Sequence, residues 1–239
     1  MKVVAVIPAR LASTRLPRKM LREIAGQPLV AWVYRAAKRC TAINEVVVAT
    51  DSDEILKCCQ ERGFSVRMTS ASHRSGTERA HEISTVMAAD VYLNIQGDEP
   101  LTRPEHIDSL LEVMRRPGVE VGTLKTPAAE IDIHNPGAVK VVTDSEGRAL
   151  YFSRSTIPYD RDHTHPPYYK HLGLYAHTKK ALGLFVSWPE SLLERVERLE
   201  QLRFLENGVP IYVGETPFDT VGVDTEEDLQ RVEQILLGK

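Results

Sequence analysis

The sequence predicts an α/β fold, a mostly parallel sheet covered by helices and carrying an antiparallel insertion. Three observations predict it. Through roughly the first 115 residues, short β-branched runs alternate with helix-period segments, the pattern of a parallel sheet with helical crossovers. From Val119 onward, strands follow one another through short turns. No repeat, low-complexity tract or flexible linker interrupts the chain, so residues 1–239 read as one domain with the insertion over 120–185.

Val3–Ile7 is a continuous β-branched run suited to a strand buried on both faces, and Pro8 is expected to stop it. A polar, Arg-rich loop follows to Lys19. Pro28–Arg39 reads as a helix with proline in its first turn. Glu45–Thr50 is a second buried strand, Asp51 or Ser52 caps a helix over Glu54–Arg62, and Gly63 ends it. Ser65–Met68 reads as a short strand, Ser75–Ala88 as a helix, Val91–Ile95 as a strand and Pro104–Met114 as a helix. In the insertion, Val121–Lys125, Ala138–Thr143, Ala149–Phe152 and His171–Ala176 read as strands, with a hairpin turn at Asp144–Gly147. Asp160–Tyr169 is a loop. A charged helix is expected over Ser191–Asn207, a strand at Pro210–Val213, and a last helix over Glu226–Leu237 capped by Asp224 or Thr225.

Composition excludes some classes of function. The 30 Lys plus Arg against 33 Asp plus Glu leave a net charge of −3, which argues against non-specific nucleic-acid binding. No run approaches the roughly 20 apolar residues of a membrane span, and the N-terminal apolar run is too short for a secretory signal. Cys40, Cys58 and Cys59 lack metal-ligand spacing and read as free, buried thiols of a cytoplasmic protein. The near-neutral total is an average of opposed ends: residues 1–22 carry six bases and no acid, whereas 190–239 carry twelve acids and five bases.

The basic end is the loop from Pro8 to Lys19. It holds Arg10, Arg15, Arg18 and Lys19 with Ser13 and Thr14 between them, and Ala9, Ala12 and Ser13 are small enough for a ligand to approach the backbone. Such a loop is either a solvated surface or a polyphosphate cradle. Its place directly after a buried first strand favours the cradle. It is neither a GxxxxGK[ST] loop nor a GxGxxG turn. Asp98 and Asp224 each follow a strand-like run; their hard oxygens suit Mg²⁺, although each taken alone reads first as a helix cap. Ser75 opens a helix beside Arg74 and Gly76, and serves either as an N-cap or as a ligand contact. Gln96 is polar at the end of a buried run. His163 and His165 follow no metal pattern and read as surface residues.

The string Ile-Pro-Ala-Arg-Leu-Ala-Ser-Thr-Arg-Leu-Pro-x-Lys ending at Lys19 resembles the signature loop of the sugar nucleotidyltransferases, and within them the 3-deoxy-manno-octulosonate cytidylyltransferase (CMP-Kdo synthetase) family. The resemblance continues in order through Ala49–Asp51, Ser75–Arg79, Asn94–Leu101, Asn135–Val142, Ala149–Pro158, His171–Tyr175, Leu199–Arg203 and Gly222–Thr225, nearly the whole chain.

That resemblance implies a Rossmann-like sheet of the nucleotide-diphospho-sugar transferase type. It implies a reaction in which the anomeric hydroxyl of Kdo attacks the α-phosphorus of CTP, giving CMP-Kdo for lipopolysaccharide synthesis and pyrophosphate. Ala9, Arg10, Ser13, Arg15, Lys19, Arg74 and Ser75 would bind the nucleotide. Gln96, Arg154, His171, Glu200 and Gln201 would contact the sugar acid, and Asp98 and Asp224 would hold Mg²⁺. Arg10, Arg15, Lys19 and Asp98 would carry the catalysis, and the insertion, with Tyr151, Phe152 and Ile157 as an apolar surface, would contribute to a homodimer. Three departures stand out: Arg18 replaces a customary Gly, His177 stands where an aromatic is common, and the Asp160–Tyr169 loop is short. They leave open a modified octulosonic acid such as 8-amino-Kdo, or another nonulosonic acid, as substrate.

Overall fold

The structure is a computed structural model that describes residues 1–13 and 15–238; Thr14 of the basic loop and Lys239 lie outside the described residues. The chain divides into two compact units, Met1–Ile107 with Thr220–Lys239, and Asp108–Asp219. The second contains all of the expected insertion and extends beyond it at both ends.

The first unit begins with β1 (Val3–Ala9) and a 3₁₀ turn at Lys19–Leu21. A small hairpin, β2 (Glu23–Ile24) and β3 (Gln27–Pro28), leads into α1 (Leu29–Lys38). Then come β4 (Glu45–Thr50), α2 (Asp53–Glu61), β5 (Val66–Met68), α3 (Gly76–Val86) and β6 (Val91–Asn94). Its strands lie in the order β6-β1-β4-β5, every neighbouring pair parallel. Val3 to Ile7 are all buried to 1% exposure or less, and burial of each Val or Ile side chain contributes about 1.5–3 kcal/mol. Ser52, not Asp51, caps α2 by accepting the Ile55 N–H (3.4 Å).

Pro8 does not stop β1, which runs through it to Ala9, with Pro8 opposite Ala49 of β4. The Val6 carbonyl accepts from the Ile95 N–H (3.0 Å), and β6 ends opposite Val6. Pro8 faces that same edge two residues later, where no strand continues to require its missing N–H.

Helix α4 (Pro104–Met114) leads into the second unit, which contains β7 (Val121–Pro127), α5 (Glu130–Ile133), β8 (Lys140–Thr143) and β9 (Ala149–Ser153). It continues with β10 (Tyr169–His177), α6 (Lys179–Ser187), α7 (Leu192–Glu197), α8 (Leu202–Glu206) and β11 (Tyr212–Glu215). The strand order is β11-β7-β10-β8-β9; β11 and β7 are parallel and the other pairs antiparallel, as expected of the insertion. Helix α9 (Glu226–Leu236) returns to the first unit. Among the described residues no helix is long and apolar enough to cross a membrane.

Three expectations are corrected here. The single helix over Ser191–Asn207 is two short helices, because Arg198 turns left-handed (φ 56°) and Arg154 Nε takes the Glu197 carbonyl at 2.8 Å. Glu200 and Gln201 therefore stand in the intervening turn, not on a helix face. Phe152 is no surface residue: it is fully buried with Phe185, Leu202, Phe204 and Ile211 in the core of the second unit. The three cysteines are free, but Cys58 is only half-buried, since it stands one step around α2 from the buried Cys59. Helix α6, which the sequence reading did not mark, is capped by Thr178 through the Ala181 N–H (3.2 Å).

His177 substitutes for an aromatic ring in a direct sense. It is stacked between Tyr175 and Phe204, with centroids 5.8 and 5.7 Å away, and its buried Nδ1 has no hydrogen-bond partner among the described residues. Burial pushes its pKa down to about 3 from 6.5. The unfolded chain thus takes up a proton below about pH 6.5 that the folded chain refuses, and stability falls as pH drops from there toward 3. His177→Phe keeps the stack and removes this proton. Urea unfolding at pH 7 and pH 5 should show the stability lost on acidification shrinking by about 2 kcal/mol in the variant; an unchanged loss would contradict a neutral buried imidazole.

Candidate active site

In the first unit, β1 and β6 are neighbours although far apart in sequence, so the strand order changes direction between them. Ligands of open α/β sheets bind outside the carboxyl ends of the strands at such a point. The loop after β1 is the basic one, and the loop after β6 carries Gln96 and Asp98.

Buried Leu16 (3%) and Met20 (5%) pin the basic loop, which leaves Arg15 exposed and turns Lys19 inward. Arg18 adopts φ 57°, the left-handed conformation a glycine would take, at a cost of about 1–2 kcal/mol. Its guanidinium pairs with Glu54 of α2. The loop thus keeps a glycine-type turn without glycine.

Lys19 Nζ lies 2.6 Å from Asp98 Oδ2 and 2.9 Å from Asp224 Oδ1, and Arg15 Nη2 lies 2.8 Å from Asp224 Oδ2. Burial by itself lowers the Lys19 pKa, but the charges and hydrogen bonds of Asp98 and Asp224 outweigh it and hold the pKa above 10.5. Lys19 is therefore a cation at neutral pH.

Local structure brings the acids there. A Cβ on Gly97 would meet the Pro8 carbonyl oxygen at 2.6 Å and Met20 Sδ at 2.8 Å, so only glycine lets this turn lie against β1 and deliver Asp98. The Val223 N–H donates to the Asp98 carbonyl (2.8 Å), which brings the next acid alongside. The open choice of cap for the last helix resolves to Thr225, whose hydroxyl accepts the Asp228 N–H (3.2 Å), while Asp228 returns a bond to the Thr225 N–H (2.9 Å). Asp224 is free of capping and faces the cations. Arg22 Nη2, 2.7 Å from both carboxylate oxygens of Glu226, and the Ala25 N–H on Glu233 Oε1 (2.7 Å) fasten α9 to this region. Sequence reading gave these contacts no role.

Ser75 is the N-cap of α3, accepting the Glu78 N–H at 3.2 Å, and the Arg74 N–H is taken by Glu78 Oε2 at 2.6 Å. The Arg74 side chain is largely exposed. Ala9 is buried at the end of β1, and Arg10, Ser13 and Gln96 are half-buried. All of these belong to the first unit, with Arg15, Lys19, Asp98 and Asp224. Arg79, one turn into α3 and fully buried, reaches Asp51 Oδ2 and Thr69 Oγ1, each at 2.6 Å; from the sequence Arg79 has no task and Asp51 only that of a candidate helix cap.

Arg154, His171, Glu200 and Gln201 belong to the second unit. Arg154 spends Nε on the Glu197 carbonyl (2.8 Å) and Nη1 on that of Pro136 (3.0 Å), so it braces the turn that carries Glu200 and Gln201. Gln201 is buried, and its Nε2 has no partner among the described residues. His171 Nε2 lies 3.0 Å from Thr123 Oγ1, and burial pushes its pKa to about 3, so it is a neutral imidazole. His163 and His165 are exposed, as expected.

Comparison with known proteins identifies the family. The sequence profile of the family described as Cytidylyltransferase matches residues 4–212. A protein of Koribacter versatilis named 3-deoxy-manno-octulosonate cytidylyltransferase is 63% identical over 239 residues, covering 100% of this chain and 91% of the relative. One of the same name from Acidobacterium capsulatum is 54% identical, covering 100% and 98%. A solved structure of CMP:2-keto-3-deoxy-manno-octonic acid synthetase complexed with CTP superposes with a TM-score of 0.95 at 40% identity, covering 100% of this chain and 99% of the other. With a matching profile over most of its length and close relatives along all of it, this chain belongs to the cytidylyltransferase family.

Proposed function

We propose that the chain transfers the cytidylyl group of CTP to the anomeric hydroxyl of 3-deoxy-D-manno-octulosonate and releases pyrophosphate. The observation that carries this reading is the meeting of Arg15, Lys19, Asp98 and Asp224 at the carboxyl ends of β1 and β6 in a chain of this family. The names of the relatives at 63% and 54% identity support the choice of sugar.

Two anions must react, so charge neutralisation dominates the chemistry. Arg10, Arg15 and Lys19 hold the triphosphate, with Ser13 as a neutral donor, and Arg74 and Ser75 lie beside the base. As the α-phosphorus is attacked, charge moves onto the departing pyrophosphate, where Lys19 and Arg15 stabilise it. Gln96, Glu200 and Gln201 orient the sugar. Neutral His171 can hydrogen-bond but brings no charge, which leaves the sugar carboxylate to Arg154; its Nη2 makes no hydrogen bond among the described residues.

The donor set fits a divalent cation. Two carboxylates already face one positive charge from 2.6 and 2.9 Å. That is the arrangement for Mg²⁺, which takes one or two carboxylates and completes its shell with phosphate and water. Asp98 and Asp224 would hold it, and when bound it would lower the pKa of the attacking hydroxyl and neutralise phosphate charge. When the triphosphate draws Lys19 and Arg15 away, the two acids become available to the ion.

The three free thiols fit a cytoplasmic setting. The chain acts as a single domain and a homodimer, with residues 120–185 contributing to the contact; exposed Ile131 and Leu150 supply apolar area there. Sedimentation should give twice the 26.8 kDa chain mass, and the mass of one chain would refute the dimer.

Pyrophosphate release with CTP, Mg²⁺ and a panel of sugar acids tests the reaction. Turnover is expected with Kdo, and none with any acid would overturn the reading; turnover confined to the 8-amino sugar would replace the substrate. In the same assay Asp98→Ala should fall by about two orders of magnitude or more while remaining folded. Full activity in that variant would refute its role.

A further inference from the structure

The mechanism assigns no task to a cavity beside the basic loop or to the ion pair between Asp51 and buried Arg79. The cavity, of about 540 Å³, lies in the first unit and is walled by Leu11, Ala12, Ser13 and Arg18 of the basic loop, by Asp51 and by Ala71. Its volume is in the range of small-molecule sites. Asp51 is the one acid among the described residues of its wall.

Asp51 is held from behind. Arg79 donates through Nη2 to Asp51 Oδ2 (2.6 Å) and through Nη1 to Thr69 Oγ1 (2.6 Å) and the Ser70 carbonyl (3.4 Å). The Thr69 hydroxyl donates in turn to the Thr50 carbonyl (3.2 Å). One buried guanidinium thus ties the end of β4, the segment after β5 and the start of α3 together. A buried arginine so committed fixes its carboxylate in place. Asp51 Oδ1 accepts no hydrogen bond among the described residues, and the side chain keeps 20% exposure.

The strand order gives this carboxylate its meaning. Ala9 pairs with Thr50, so Asp51 stands beside the start of the basic loop on its β4 side, whereas Asp98 stands on its β6 side. A nucleotide whose phosphates lie toward Lys19 and Asp98 has its base directed to the other side. An ionised carboxylate only accepts hydrogen bonds. It favours an exocyclic amino group and repels a carbonyl oxygen, which is the difference between position 4 of cytosine and of uracil.

The geometry points to Asp51 as the residue that reads the 4-amino group of the base, with Arg79 as its positioning residue. This rests on the reading of the substrate as CTP and names the group that would select it over UTP.

Equilibrium binding of CTP, UTP and the triphosphate of the 4-deamino cytidine analogue tests it on the whole chain. Wild type should bind CTP about tenfold to a hundredfold more tightly than the analogue, the worth of a hydrogen bond to a charged group. That ratio should collapse toward one in Asp51→Asn and in Asp51→Glu, the latter keeping a charge for Arg79. Ala71→Leu, a change at an exposed wall position, should weaken CTP binding about tenfold without touching Asp51. Equal wild-type affinity for CTP and the analogue would overturn the assignment, as would an unchanged ratio in a folded Asp51 variant, or CTP binding indifferent to Ala71→Leu. Equal weakening of all three nucleotides by Asp51→Asn would also overturn it, since the cavity would then take the ribose or phosphates. Pyrophosphate release by wild type with CTP and Kdo stands apart from these outcomes, so failure here is distinguishable from failure of the reaction itself.

Discussion

A buried ammonium between two carboxylates is the constraint on which the first unit is organised. Lys19 is largely removed from water, which taken alone would lower its pKa, and Asp98 and Asp224 more than offset that. Three parts of the chain must be placed to within a few tenths of an ångström for that to hold. Gly97 lets the loop after β6 touch β1, the Asp98 carbonyl captures the Val223 N–H, and the Thr225–Asp228 capping box relieves Asp224 of capping. Residues more than two hundred positions apart thereby share one hydrogen-bonded centre. In the proposed reaction the same pairing would prepare the chain for its ligands: a triphosphate would replace the acids around Lys19 and Arg15, and a cation would replace the ammonium between the acids.

The second unit solves a different problem, the burial of polar groups in an aromatic core. His171, Tyr175, His177 and Phe204 form a continuous run of ring contacts, and α8, which carries Phe204, follows directly on Gln201. Arg203 forks onto Glu194 with bonds of 2.7 and 2.6 Å and lies over the Phe185 ring, so the broken helix pair is closed by a buried ion pair. Removing either partner would strand a charge, at about 3–5 kcal/mol.

Much of this was legible in the sequence where one strong physical signal decided the outcome. Unbroken β-branched runs marked β1, β4 and β6, and cations massed behind the first of them marked the loop that meets Asp98 and Asp224. The misreadings come from tertiary context. Pro8 looked like a stop because nothing local says that the neighbouring strand ends two residues earlier. The charged stretch 191–207 looked like one helix because Arg198 carries no turn signature, and the Glu197 carbonyl just before its left-handed turn accepts from Arg154, far away in sequence. Phe152 looked like surface because alternation in β9 does not say which side the core lies on. Asp224 and Thr225 were equal candidates for a cap until the hydroxyl geometry separated them. Asp51 and Arg79 could be quoted as motif residues, but their joining needs three segments folded together.

In the proposed reaction the acids stay engaged by the loop's own cations until a triphosphate takes those cations away. Titration calorimetry of Mg²⁺ into the chain alone and into the chain saturated with a non-reacting CTP analogue measures this directly. Mg²⁺ should bind much more tightly with the nucleotide than without, and the nucleotide should gain the same factor in affinity when Mg²⁺ is present. Equal Mg²⁺ affinity with and without nucleotide would contradict it.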